Sequence, residues 1–260
     1  WTSFVALYYQ NIMEKSNKFN WSYIYHQSSK EHRLIPLDAT KWPEEWTTEF
    51  YKSYPRFPLL KLPRPDFPLA NLKDTIVSRK TIRRFESTEI SLRDIALIMQ
   101  YGCGIVSTSK SDSGQFFHRA YPSGGARYPI EIYCLINRCE AFSPGIYHYN
   151  VKMHAMEQLI NTKMPTITEL NKLFTYHWAK DAAIVFFMTS VLHRNQAKYG
   201  NRGYRYILLE AGHIAQNILL VSTALGLASC PLTGTYDMNI EKLLGVDGVS
   251  ESLIYTVLVN

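Results

Sequence analysis

The alternation of apolar and polar positions sharpens along this chain. Ser91-Leu92-Arg93-Asp94 reads as a helix opening, with an acid at the third position after the cap and an apolar stripe through Leu92, Ile95, Ile98 and Met99. Ile130 to Ile136 is an apolar segment suited to a strand, and Ser143-Pro144-Gly145 turns into Ile146 to Asn150, its expected hairpin partner. Thr166 to Phe174 is expected to be a short helix. Ala182 to Met188 is apolar on both faces, as in the middle of a covered sheet. Gly200 and Gly203 predict irregular backbone around Ala197 to Gly203, with the helix beginning only afterwards. From about Tyr204 to Leu227 that helix is apolar nearly all round, and Ala211, Gly212, Ala215 and Ala224 permit close packing. It belongs at the centre of a fold or of a dimer. Ala228 to Thr235 reads as a loop, Asn239 as the cap of a short helix through Leu244, and Leu253 to Val259 as the last strand. The elements mingle without a βαβ rhythm and there is no Gly-x-Gly-x-x-Gly, so the fold class is α+β rather than Rossmann.

Residues 1–72 differ, being rich in Trp, Tyr and Pro with little sustained period. Tyr25 to Lys30, Lys41-Trp42-Pro43, and the prolines at 55, 58, 63, 65 and 68 read as an extended arm laid over the globular body of residues 73–260. Cys103, Cys134, Cys139 and Cys230 show no Cys-x-x-Cys spacing, which predicts reduced, buried thiols and a cytoplasmic protein. The histidines form no zinc motif, so no metal is expected, and His148 and His154 read as surface or packing residues. A net charge of +6 is spread along the whole chain, which argues against nucleic acid as a partner. Ile214 to Leu227, interrupted by Gln216, Asn217, Ser222 and Thr223, is short and polar for a membrane span. No basic region precedes the apolar residues of 1–10, so no secretory signal is expected. Opening on Trp1 rather than Met leads one to expect a longer product.

Candidate chemistry gathers in three stretches. In Arg119 to Pro129, Gly124 and Gly125 allow positive φ and close ligand approach, Pro122 and Pro129 stiffen the ends, and unpaired N–H groups of the loop can donate to a ligand. Arg119 and Arg127 are expected to make this loop cationic, and Tyr121 and Tyr128 to lie against a ligand ring; the alternative is a surface turn. Arg79, Lys80, Thr81, Arg83 and Arg84 combine cations with a hydroxyl, which suits a phosphate, although charge runs commonly just face water. Lys198 and Tyr199 precede Gly200.

In this order, Arg79-Lys80-Thr81-x-Arg83, Pro122-Ser123-Gly124-Gly125-Ala126, and Leu225-Gly226-Leu227 before Pro231-Leu232-Thr233-Gly234 resemble the FMN-dependent nitroreductase superfamily. Arg119 to Glu131, Pro144 to Tyr149, Lys198-Tyr199-Gly200 and Tyr25 to Lys30 look like its SagB-type dehydrogenases, the azoline oxidases of peptide biosynthesis. The resemblance covers roughly residues 75 to 259. It implies a mostly antiparallel sheet flanked by helices, in a homodimer built through long helices with FMN in the interface. Arg79, Lys80, Thr81 and Arg83 would hold phosphate and the flavin's polar edge from one subunit. Pro122, Ser123, Gly124 and Gly125 would come from the other, and Leu232, Thr233 and Gly234 would line the ring. Lys198 and Tyr199 would be catalytic, removing a proton from the azoline of a precursor peptide while hydride passes to the flavin, with O2 as the final acceptor and a cyclodehydratase as partner. Two alternatives remain: an NAD(P)H-dependent nitro or quinone reductase, and a flavin-free scaffold of a peptide-modifying complex. Many nitroreductases add basic residues beyond the last strand; here the chain stops at Asn260, so either the cations at 79–83 suffice or residues are missing.

Overall fold

The computed structural model describes residues 21–30, 51–66, 70–111, 114–159 and 165–260. Its centre is a seven-stranded sheet of order β1-β6-β5-β4-β7-β9-β8. The strands are β1 (Leu59–Lys61), β4 (Ile130–Ile136), β5 (Gly145–Asn150), β6 (Ala155–Gln158), β7 (Ile184–Val191), β8 (Ser229–Leu232) and β9 (Glu251–Val259). Every neighbouring pair is antiparallel. β2 (Ile105–Ser111) and β3 (Gly114–Arg119) form a separate hairpin. This is the α+β class and the flanked antiparallel sheet that the sequence predicts.

Alternation sorts the core onto both faces. Ile130, Ile132, Cys134 and Ile136 of β4 pack with Phe186 and Met188 of β7 against α3 (Leu92–Gly102) and α6 (Gly203–Ala224). The opposite face takes Tyr133, Leu135, Val185 and Phe187 against α4 (Ile167–Leu170) and α7 (Asp237–Leu244). α3 starts where expected: the Ser91 side chain accepts from Asp94 N–H at 3.1 Å. Where α3 crosses α6, a Cβ on Gly102 would come within 2.9 Å of Ile218 Cγ1, so the two backbones meet there. Ala211 and Ala215 are buried, whereas a Cβ on Gly212 would meet nothing within 4 Å among the described residues, so this glycine serves no packing among them. All four cysteines are free and buried.

Several expectations need correction. Trp21–Ser28 is a helix, α1, which docks on α6 through Arg205 Nε to Ser29 Oγ at 2.8 Å and an edge contact of Tyr25 with Tyr204. Lys41-Trp42-Pro43 lies outside the described residues. The segment 51–66 is docked, as its aromatics require: Tyr54 and Phe57 pack on the core, and β1 extends the sheet. His193–Tyr199 forms a helix, α5, so the irregular backbone expected around Ala197 to Gly203 is narrowed to Tyr199, Gly200 and the short turn through Arg202, and the long helix ends at Ala224 rather than Leu227. Ser229–Leu232, expected as loop, is the edge strand β8. α7 begins at Asp237, ahead of Asn239, and the last strand begins at Glu251. α2 (Leu72–Ser78) is capped by Asn71 and packs on α6.

Candidate functional site

The loop between β3 and β4 is held in an unusual backbone. Gly125 has φ 62, Ala126 φ 52 and Tyr128 φ 45, all in the left-handed region, and for a ring-bearing residue such as Tyr128 this is strained. Its surroundings enforce it. Ser123 Oγ accepts from Tyr128 N–H at 2.8 Å, Arg194 donates to Tyr128 O at 3.2 Å, and the Arg119 guanidinium lies 4.5 Å from the Tyr128 ring centre. Arg119 and Arg127 are therefore not loop-surface cations: both are buried, Arg119 bonded to the Tyr121 hydroxyl at 3.0 Å and Arg127 to Arg194 O at 2.7 Å. Tyr121 and Tyr128 are buried as well, packed edge-on against each other. The exposed part of the loop is Pro122 and Gly125-Ala126, with Ser123 and Gly124 half-buried.

Lys198 and Tyr199 end α5, and both reach this loop. A Cβ on Gly125 would strike the Tyr199 hydroxyl and lie 3.4 Å from Lys198 Nζ. Consecutive helical side chains diverge by about 100°, and the chain resolves this by leaving the helix here: Tyr199 has φ -116 and ψ 5, and Gly200 has φ 52. Burial and the neighbouring Arg127 charge lower the Lys198 pKa, which favours the neutral amine. Burial raises the Tyr199 pKa, with Tyr206 adding to the shift, so its phenol keeps its proton. Together with Pro122, Ser123, Gly124, Tyr206, Leu209, Glu210 and His213, Tyr199 lines a cleft of about 400 Å³.

α5 is fixed to the sheet by a buried charge network. Arg194 Nη1 meets Glu131 Oε1 at 2.5 Å, and the other Glu131 oxygen bonds His148 Nε2 at 3.0 Å. His148 Nδ1 bonds Glu157 Oε2 at 2.8 Å, and Asn150 donates to Glu157 Oε1 at 2.9 Å. Two carboxylates facing both ring nitrogens raise the His148 pKa against its burial, whereas Glu131 is lowered to about 2 by His148 and Arg194 despite its desolvation. His148 is thus a buried, charged link, not a surface residue, and His154 is also buried, bonded to the Tyr149 hydroxyl at 2.8 Å. Beside this row, Lys52 bonds Glu251 and the Tyr133 hydroxyl, closing the 51–66 segment over the polar end of the sheet.

The cation segment lies elsewhere. Thr81 bridges to Ser229 at the start of β8, with Ile82 N–H to Ser229 O at 3.0 Å. Lys80 and Arg83 are exposed and Arg79 is half-buried, and none of the three makes an ion pair among the described residues. Further along β8, the Leu232 side chain is buried in the core, leaving only its backbone for a ligand, while Thr233 is exposed. Gly234 is pinned by Thr175, whose N–H bonds Gly234 O at 2.9 Å, and a Cβ there would come within 2.8 Å of Tyr176 Cε2. Ser229 follows the C-terminal end of α6, whereas the Gly-Gly loop touches Tyr206 near its start. Tyr206 and Ala224 are about 27 Å apart at about 1.5 Å per residue. One chain therefore brings Lys198 and Tyr199 together with residues 122–125, and Arg79 to Arg83 together with β8, but does not join the two groups. Glu131, Arg194, His148 and Glu210 escaped sequence reasoning, although Glu210 had a signal as the sole acid in the apolar α6.

The family model for nitroreductases matches residues 76–259. A nitroreductase-type protein of Methanocaldococcus jannaschii is 28% identical over 190 residues, covering 72% of this chain and 90% of that protein. The trifolitoxin-processing protein TfxB of Rhizobium leguminosarum bv. trifolii is 26% identical over 255 residues, 94% of this chain and 68% of TfxB. The microcin B17-processing protein McbC of Escherichia coli is 28% identical over 172 residues, 62% of this chain and 59% of McbC. Among solved structures, a nitroreductase-type protein of Anabaena variabilis superposes with TM-score 0.68 at 22% identity, over 90% of this chain and 45% of that longer one. The Escherichia coli microcin synthetase McbBCD complex, with truncated pro-MccB17 bound, gives TM-score 0.58 at 21% identity over 90% of this chain and 85% of the matched one. The chain belongs to the nitroreductase family, a family of oxidoreductases. Its peptide-processing relatives put it with the SagB-type members of that superfamily.

Proposed function

We propose that this chain is an FMN-dependent dehydrogenase that oxidises thiazoline or oxazoline rings of a ribosomal precursor peptide to thiazoles or oxazoles, with O2 as the electron acceptor. The observation that carries this reading is the meeting of Lys198 and Tyr199 at Gly125, beside a cleft that Tyr199 lines together with Pro122, Ser123 and Gly124. A base and a phenol poised at a ligand-approach loop suit proton removal from a bound ring. The relatives named for trifolitoxin and microcin B17 processing support a peptide substrate, and the complex containing McbB, McbC and McbD supports a cyclodehydratase neighbour.

The residues present fit a flavin nucleotide. Arg79, Lys80 and Arg83 make no ion pair among the described residues, Thr81 adds a hydroxyl, and Pro122 with Gly125 stays exposed on the loop, with Ser123 and Gly124 half-buried beside them. Because the two groups sit at opposite ends of α6, one FMN requires both only if residues 122–125 come from a second copy of the chain, which supports a homodimer. Arg79, Lys80, Thr81 and Arg83 would hold the phosphate and the polar edge, the second copy's Pro122, Ser123, Gly124 and Gly125 would cover the cofactor, and the Leu232 backbone with Thr233 and Gly234 would border the ring.

Bound FMN supplies a two-electron hydride acceptor. Aromatisation of an azoline removes one hydride and one proton, and the chain's task is the proton. Lys198, whose pKa burial and Arg127 lower, takes it from the fraction of chains in which its amine is neutral, and Tyr199 donates a hydrogen bond from its retained O–H. Protein reconstituted with FMN and mixed with an azoline peptide in air should return the azole peptide, lighter by two hydrogens, without NADPH. An unchanged peptide, with NADPH-driven reduction of a nitroarene or quinone in its place, would make the protein a general reductase.

A further inference from the structure

Glu210 is buried in the cleft wall, and neither carboxyl oxygen makes a well-formed hydrogen bond among the described residues, the Ser123 hydroxyl being the one donor near it. It is the only acid in α6 and sits on the helix's buried stripe with Ile207, Ala211 and Ile214. A carboxylate left in this state would carry its full desolvation cost, whereas the protonated acid avoids most of it. Burial pushes the group up to about 8, against the opposing pull of the Ser123 hydroxyl and the Arg119 and Arg194 guanidinium groups. The Ser123 oxygen accepts from Tyr128 N–H, which leaves its O–H to turn toward Glu210, and a protonated Glu210 keeps its own O–H donor whatever Ser123 gives it. Glu210 thus presents an unspent donor and acceptor beside the Pro122-Ser123-Gly124 loop.

We propose that Glu210 is a ligand-contacting acid, a protonated carboxyl that donates its O–H to an acceptor atom of the bound flavin nucleotide and so makes cofactor binding depend on a proton. This rests on the FMN reading above. Ionisation would replace the donor by a buried negative charge facing an anionic ligand, so affinity must fall as pH rises through the acid's pKa. The charged and titratable groups that face Glu210 are Arg119 on β3, Tyr121 beyond it, Arg194 and Tyr199 on α5, and Tyr206 and His213 on α6. All of them remain in Glu210→Gln, so that variant isolates the carboxyl.

The test is FMN affinity, read by quenching of flavin fluorescence, across roughly pH 6.5 to 9.5 in parent, Glu210→Gln and Glu210→Ala. The parent should bind evenly below about pH 8 and lose about tenfold per pH unit above it. Glu210→Gln keeps an N–H donor and should bind near the parent level with that loss removed. Glu210→Ala should be weaker by roughly tenfold at neutral pH. The same slope in parent and Glu210→Gln, or a parent affinity that rises with pH, overturns the assignment while leaving the cofactor reading intact. If the parent binds no FMN at any pH, both fall.

Discussion

The Tyr199 hydroxyl occupies the space that a side chain at position 125 would need, so Gly125 and Tyr199 can approach only because position 125 has no Cβ. Lys198 Nζ lies 3.4 Å from the same point. The glycine satisfies two demands at once, the positive φ of the loop and the entry of the two side chains.

Gly125→Ala should therefore act on both. Positive φ costs a non-glycine residue about 1–2 kcal/mol, and the new methyl must push Tyr199 aside. The expected outcome is a modest fall in thermal midpoint with a much larger loss of turnover and of FMN affinity. Scanning calorimetry and a flavin-binding titration on one preparation check it; a variant with parent turnover would detach the Tyr199 contact from function.

The buried Arg194, Glu131, His148 and Glu157 row should give stability a plateau in pH. His148 is raised above its ordinary 6.5, so its contribution is complete below that value and is lost as pH rises through its folded pKa. Glu131, lowered to about 2, contributes above the ordinary 4.5 and loses that contribution as pH falls toward its folded value. His148→Gln should abolish the alkaline decline. Arg194→Met should cost about 3 kcal/mol, the lower end for a broken buried pair, because Glu131 loses one of its two bonded cations and keeps only His148. Urea midpoints across pH measure both, and an unaltered alkaline limb in His148→Gln would contradict the charged-link account.

The separation along α6 predicts complementation between chains. Arg79→Ala should weaken FMN by about 1.5–3 kcal/mol, one to two decades, and Gly125→Ala should damage the other half of the site. Each variant alone carries two defective sites per dimer. Mixed and allowed to exchange, they should regain tight binding at about a quarter of the sites, since half the dimers are mixed and one site in each takes both intact halves. Gel filtration with absorbance at the flavin band reads this; no recovery on exchange would place both groups in one chain's site.

The parts legible in the sequence were those fixed by local chemistry. The Ser91 cap and the doubly apolar Ala182 to Met188 each require little beyond their own neighbours. β8 was hidden by Pro231, which an edge strand tolerates because its missing N–H can face away from the sheet. α5 was hidden by the glycines that end it. Arg119 and Arg127 read as surface charge because their partners, the Tyr121 hydroxyl and the Arg194 carbonyl, are set by tertiary folding. The candidate residues could be named from motif order, but their division into two groups at opposite ends of α6 needed the fold.

The central claim is that Lys198 removes the ring proton with Tyr199 beside it, and single-turnover bleaching of FMN-loaded protein by an azoline peptide without oxygen tests it most directly. Parent protein should bleach. Lys198→Ala and Tyr199→Phe should keep FMN and bind peptide yet bleach more slowly, by ~10²–10⁴ where the base itself is lost. Readmitted O2 should reoxidise all three at similar rates, since that half-reaction takes no proton from the peptide. Bleaching of both variants at the parent rate would contradict the account.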